Sequence, residues 1–97
     1  MSYWLHPGAR DDLDRALTHY GLRAGPQIAR RFYDEFERVA RLLVERPGLG
    51  TPLAGGRRVF PLQVFPYSVV YRKAGSGIQV LVIRHQHRRP GYGNARR

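Results

Sequence analysis

The residues best equipped for chemistry stand together near the C-terminus, in Arg84-His85-Gln86-His87-Arg88-Arg89-Pro90-Gly91-Tyr92. They directly follow the apolar run from Ile78 to Ile83. A Val/Ile/Leu strand that ends in cations, imidazoles and a phenol places anion-binding and proton-transfer groups at the edge of a rigid sheet. Scission of RNA by attack of a ribose 2′-OH on the adjacent phosphate needs a base, cations on the phosphate and an acid at the leaving oxygen. The imidazoles of His85 and His87 fit base or acid. Arg72, Arg84 and Arg88 fit a phosphate clamp, and Tyr92 fits base stacking or proton donation. Each group also has a plainer reading: His85 as a sheet histidine near the core, Arg88 and Arg89 as a solvated basic end, Tyr92 as a cover for the sheet edge. If the strand runs on regularly, Leu81, Ile83, His85 and His87 share one face, and Val80, Val82, Arg84 and Gln86 share the other.

The charge distribution points the same way. All seven acids lie between Asp11 and Glu45, where seven Arg balance them. Residues 46–97 hold nine Arg and one Lys with no acid, a net of +10. Arginine forks match phosphate and carboxylate geometry. A one-signed surface suits nucleic acid, an acidic protein partner, or both. Cysteine is absent, so disulfides and thiolate metal sites are excluded. His85 and His87 alone, with no acid near them in sequence, do not make a metal site. No phosphate-cradling glycine loop precedes a helix. No cofactor is expected. There is neither a signal pattern at the N-terminus nor an apolar run near the roughly 20 residues of a membrane span. A cytoplasmic protein is expected.

The 97 residues suit one small domain, 1–93, followed by a loose basic tail, 94–97. Ser2 to His6 reads as an edge or starting strand, and Pro7 as the first turn of a helix. Ala9, Leu13, Ala16, Leu17 and Tyr20 recur at helical spacing, with Gly21 as the stop. Asp11, Asp12 and Asp14 fall near the N-terminus of this helix, where negative charge is favoured. Gly25-Pro26 opens a second helix whose apolar stripe is Ile28, Phe32, Phe36, Val39 and Leu43; Pro47 and Gly48 end it. Asp34–Arg38 and Glu37–Arg41 are spaced for i,i+4 pairs. After a glycine-rich loop, Arg57–Phe60, Val64–Lys73 and Ile78–His85 read as strands, the last two joined at Gly75-Ser76-Gly77. The fold class is α+β: β-αα-βββ, a helical hairpin packed on a twisted, mainly antiparallel sheet.

Four segments carry a family resemblance: Ala9-Arg10-Asp11-Asp12-Leu13, Pro47-Gly48-Leu49-Gly50, Phe65-Pro66-Tyr67-Ser68-Val69-Val70-Tyr71-Arg72, and Val82 through Tyr92. In this order they resemble the RelE/ParE superfamily of type II toxin–antitoxin toxins, over nearly the whole chain. The resemblance implies a small basic toxin neutralised by an acidic cognate antitoxin in a hetero-oligomer. It also implies one of two targets: messenger RNA on the ribosome for RelE-like members, DNA gyrase for ParE-like ones. In the family's arrangement Arg57 and Arg58 open a strand beside the C-terminal tail, which adds them to Arg72, Arg88 and Arg89 as target- or antitoxin-binding residues. A nuclease would use Arg84, His87, Arg88 and Tyr92. The chain departs from the nuclease pattern in lacking a Lys or Glu in the middle strand, Val64 to Tyr71. Gly93 also stands where many relatives have Trp. The helical hairpin and the Pro-Gly-Leu-Gly turn lean to the ParE side. The expectation is therefore a ParE-like inhibitor of gyrase. The alternatives are a RelE-like, metal-independent endoribonuclease and a non-toxic basic nucleic-acid-binding domain.

Overall fold

The computed structural model describes residues 2–97. Strand β1 (Tyr3–Leu5) leads into helices α1 (Pro7–Ala24) and α2 (Pro26–Glu45), followed by strands β2 (Thr51–Pro52), β3 (Arg58–Pro61), β4 (Tyr67–Ala74) and β5 (Gly77–His85). The sheet order is β1-β5-β4-β3-β2. β1 pairs parallel to β5 and the remaining pairs are antiparallel. The expected β-αα-βββ layout is present, with the two-residue β2 added at the far edge. No helix is long and apolar enough to cross a membrane.

The helix starts have local causes. His6 caps α1: its Nδ1 accepts from the Gly8 N–H at 2.9 Å, with Pro7 in the first turn. Gly21 does not stop α1, as the sequence suggested; the helix runs to Ala24 and breaks at Gly25, whose φ of 92° suits glycine. Pro26 then opens α2 immediately, giving a tight hairpin. On α2, Phe32, Phe36, Val39, Ala40 and Leu43 are buried against Val69, Tyr71, Ile78, Val80 and Ile83 of the sheet. Phe32 meets Tyr67 edge-on at a centroid distance of 5.0 Å and Phe65 at 5.1 Å. Of the two expected i,i+4 pairs, Glu37–Arg41 forms at 3.7 Å; Arg38 instead makes a two-pronged contact with Glu35. Glu35 is the better partner because it also accepts the Gln63 N–H at 2.7 Å, tying α2 to the turn before β4.

That turn shortens the expected Val64–Lys73 strand. β4 begins at Tyr67, because Val64 adopts φ 73° and stands almost wholly exposed. At the other end of the helical layer, the Tyr71 hydroxyl donates to Pro47 O at 2.7 Å and accepts the Gly50 N–H at 2.9 Å. Tyr71 thus clamps the Pro-Gly-Leu-Gly turn against β4.

β4 and β5 are not in regular register throughout. Val70 pairs with Val82, yet Tyr71 pairs with Val80, so Leu81 is an extra residue. Such a bulge breaks the alternation of side chains across the sheet. Val80 therefore packs with Ile83 on the helical side, while Leu81 packs with Val82 and Val70 on the opposite face. The regular alternation predicted from the sequence is overturned at this one position.

Candidate functional site

The face of the sheet turned away from the helices carries the basic groups. Register places Arg72 opposite Gln79 and Arg84 opposite Ser68. The chain leaves β5 at His85 and turns, with the Arg88 N–H bonded to His85 O at 2.9 Å and the Gln86 N–H to Pro66 O at 2.9 Å. This turn folds Arg88 and Arg89 back beside Arg84. Arg57, Arg72, Arg84, Arg88 and Arg89 then line one groove of about 720 Å³, with His85 at its wall. No carboxylate lines it. Among the described residues, Arg84, Arg88 and Arg89 enter no ion pair. Arg57 caps the last turn of the chain, donating to Asn94 O at 2.5 Å and Arg96 O at 3.0 Å. Arg72 donates to Gln79 Oε1 at 3.0 and 3.2 Å.

Beneath the groove lies the group that holds the turn in place. Asp12 of α1 is 5% exposed. Its carboxylate accepts the Ile83 N–H at 3.0 Å, the Tyr92 hydroxyl at 2.5 Å, Arg96 at 2.5 Å and Arg15 at 2.9 Å. Burial alone would push this carboxyl up; the hydrogen bonds from Arg96, Tyr92 and the Ile83 N–H outweigh it and hold Asp12 below the ordinary carboxylate value. Helix, strand and C-terminal segment are thereby cross-linked through one side chain. The expected loose tail at 94–97 gives way at Arg96, which folds back because a buried carboxylate needs a cation. Gly93 makes the approach possible. Its φ is 80°, and a β-carbon there would lie 2.5 Å from a Val82 methyl, so the tail rests directly on the sheet.

Residues 3–90 match the family described as the ParE toxin of the type II toxin–antitoxin system, parDE. The chain belongs to the ParE toxin family. Toxin ParE2 of Mycobacterium tuberculosis, in strains CDC 1551 / Oshkosh and H37Rv, is 31% identical over 86 residues, covering 89% of this chain and 82% of the relative. A solved structure described as the chromosomal ParDE TA system from P. aeruginosa superposes with a TM-score of 0.75 at 31% identity, covering 88% of this chain and 95% of that one. The RelE/ParE resemblance is thus resolved to its ParE branch.

Within this ParE-family fold the sequence-derived site residues separate into groups. Arg57, Arg72, Arg84, Arg88 and Arg89 come together in the groove. Arg58 does not. It pairs in register with Tyr71 and donates to Gly50 O at 2.8 Å and Gly48 O at 3.2 Å, holding the Pro-Gly-Leu-Gly turn. His87 is exposed and lies outside the groove lining, because the strand ends at His85 instead of continuing to place both imidazoles on one face. His85 packs edge-on against Tyr67 at 5.1 Å, and its Nδ1 accepts the His87 N–H at 3.1 Å. Burial, then the nearby His87, His19 and Arg88, holds the His85 imidazole below the ordinary histidine value, which favours its neutral form at neutral pH. The Tyr92 hydroxyl is committed to Asp12, and the Arg88 and Arg96 guanidinium groups lie over its ring at 4.5 and 5.0 Å from the centroid.

Asp12 and Arg96 went unrecognised in the sequence. A signal for Asp12 was present: Ala9, Asp12, Leu13 and Ala16 are spaced as one buried helical stripe, so this acid falls among core positions.

Proposed function

We propose that this ParE-family chain is a toxin neutralised by an acidic antitoxin, and that it acts as an inhibitor of DNA gyrase by binding and not by cleaving RNA. The observation that carries the reading is the composition of the groove. Its five guanidinium groups hold anions but do not exchange protons near neutral pH. A nuclease needs a base and an acid aimed at one phosphate. Here His87 stands outside the groove and the Tyr92 hydroxyl is donated to a carboxylate. Antitoxin neutralisation is supported by the acid-free, +10 half of the chain and by the likeness to the P. aeruginosa ParDE assembly. Arg57, Arg72, Arg88 and Arg89 are the proposed contacts for target or antitoxin, in a cytoplasmic hetero-oligomer; Arg58 supports the neighbouring turn.

The test is a cleavage assay with purified gyrase, supercoiled plasmid and the toxin, with primer extension on cellular messenger RNA after induction without antitoxin. Trapped, cleaved plasmid with intact messages is the expected result. New 5′ ends inside translated codons, with gyrase unaffected, would replace this reading by the endoribonuclease one.

A further inference from the structure

We infer that the arginine groove is a phosphodiester site for duplex DNA, so that the toxin grips the DNA held by gyrase as well as the enzyme; the role at gyrase rests on the reading above, whereas duplex binding by the toxin itself does not. Three observations carry it. The groove presents five guanidinium groups and no carboxylate, and three of them, Arg84, Arg88 and Arg89, have no ion-pair partner among the described residues. These three carry their full charge to an incoming anion. Arg88 is also positioned, its guanidinium resting on the Tyr92 ring, which Asp12 fixes in turn.

The second observation is that no Phe, Tyr or Trp lines the groove. Single-stranded RNA and DNA are held largely by bases stacked on Phe, Tyr, Trp or His. The one imidazole at the wall, His85, is already packed against Tyr67. A cationic groove without a stacking platform reads charge and backbone shape, as duplex-phosphate contacts do. The third is the shortage of apolar anchors: Leu53, Ala54 and Pro90 are the apolar side chains of the lining. Protein partners are held mainly through buried aromatic and aliphatic anchors in pockets. Charge complementarity without such anchors fits a polyanion better than an acidic peptide.

The site predicts a measurable salt dependence. Each phosphate neutralised on a duplex contributes about −0.9 to the slope of log affinity against log salt. Three to five engaged arginines give a slope of about −2.7 to −4.5. The experiment is fluorescence anisotropy of a labelled duplex and of its single strand, titrated with the purified full chain across a salt series. The expected outcome is duplex binding in that range, with the single strand weaker. Joint replacement by Arg84→Gln and Arg88→Gln should flatten the slope by about 1.8, and Arg89→Gln alone, at an exposed position, by about 0.9. Arg23→Gln with Arg30→Gln, exposed on the helices, should leave it unchanged. Tighter binding of the single strand, equal losses from the helix pair, or binding of a polyglutamate peptide in preference to the duplex would overturn the inference. Failure of duplex binding alongside gyrase poisoning would sink this site and spare the proposed function. Duplex binding without gyrase poisoning would do the reverse.

Discussion

Replacing Asp12 by Asn should unfold the link between helix, strand and tail while nearly preserving shape. The Asp12 side chain is 2% exposed and its Arg96 partner 16% exposed. Asn keeps one acceptor, enough for the Ile83 N–H, but sets an amide donor against Tyr92, Arg15 or Arg96. Removing one partner of a buried ion pair costs about 3–5 kcal/mol. Arg96 is the penultimate residue of the 97 and can swing into water, which trims the loss to about 2–3 kcal/mol when charged hydrogen bonds of about 1.5–3 kcal/mol each are weighed. For a domain of this size, about 4–8 °C per kcal/mol translates that into a fall in Tm of about 10–20 °C. The pH profile adds a second readout. The folded-state pKa of Asp12 is depressed, so its stabilisation is present above the unfolded carboxylate value of about 3.9 and is lost as pH falls through the folded value. Thermal unfolding followed by circular dichroism should therefore show wild type and Asp12→Asn far apart at pH 7 and converging in acid below the ordinary carboxylate range. A gap under about 2 °C at pH 7, or one that persists unchanged in acid, would refute the idea that this carboxylate anchors the tail.

Other substitutions probe neighbouring devices. Gly93→Ala forces a β-carbon against Val82 at a φ of 80°, so it should lower stability by about 1–3 kcal/mol in urea unfolding and raise the exchange of the Ile83 amide; an unchanged midpoint would mean the tail does not rest on the sheet. Tyr71→Phe strips Pro47 O and the Gly50 N–H of their shared partner, an expected loss of about 1–3 kcal/mol in the same assay. Val64→Gly should hold stability level or raise it by up to about 1 kcal/mol, since left-handed backbone disfavours a β-branched residue; a clear loss would show that the exposed valine is packed in solution.

The elements were largely legible because their signals are local. The α2 stripe, the Gly25-Pro26 break, the Gly75-Ser76 turn and the apolar runs of β4 and β5 each follow from a few adjacent residues. What escaped depends on residues far apart in the chain. The bulge at Leu81 arises from how β5 seats against β4, and nothing within Val80-Leu81-Val82 distinguishes it from regular strand. The Asp12–Arg96 link joins positions 84 apart, and the helical stripe that places Asp12 among core positions gives no hint of its partner. The site was half legible on the same grounds. Clustering of Arg84, Arg88 and Arg89 follows from proximity in sequence, whereas Arg57 and Arg72 join them only through sheet order, and Arg58 is excluded by strand parity.

Net charge is a poor measure of this molecule's binding surface. The chain carries +10, yet many of its cations have structural work. Arg96 and Arg15 neutralise Asp12, Arg38 holds Glu35, and Arg58 holds the Pro-Gly-Leu-Gly turn. All seven acids lie on the helical hairpin, so the pairs they make use up cations on that side. The opposite face keeps its arginines because no acid shares it. The bulge reinforces the separation. By turning Val80 inward and leaving Leu81 with Val82 on the outer face, it allows Ile83 to fill the helical core while Arg84 points out of the sheet into the groove. By absorbing one extra residue in β5, the bulge keeps the terminal cations on that side of the sheet. Deleting Leu81 should therefore restore regular pairing with Val80, Val82, Ile83 and Arg84 still on the faces they hold, so it should cost the packing of Leu81 against Val70 and Val82 and spare the groove; duplex binding lost along with stability would refute this account of the bulge.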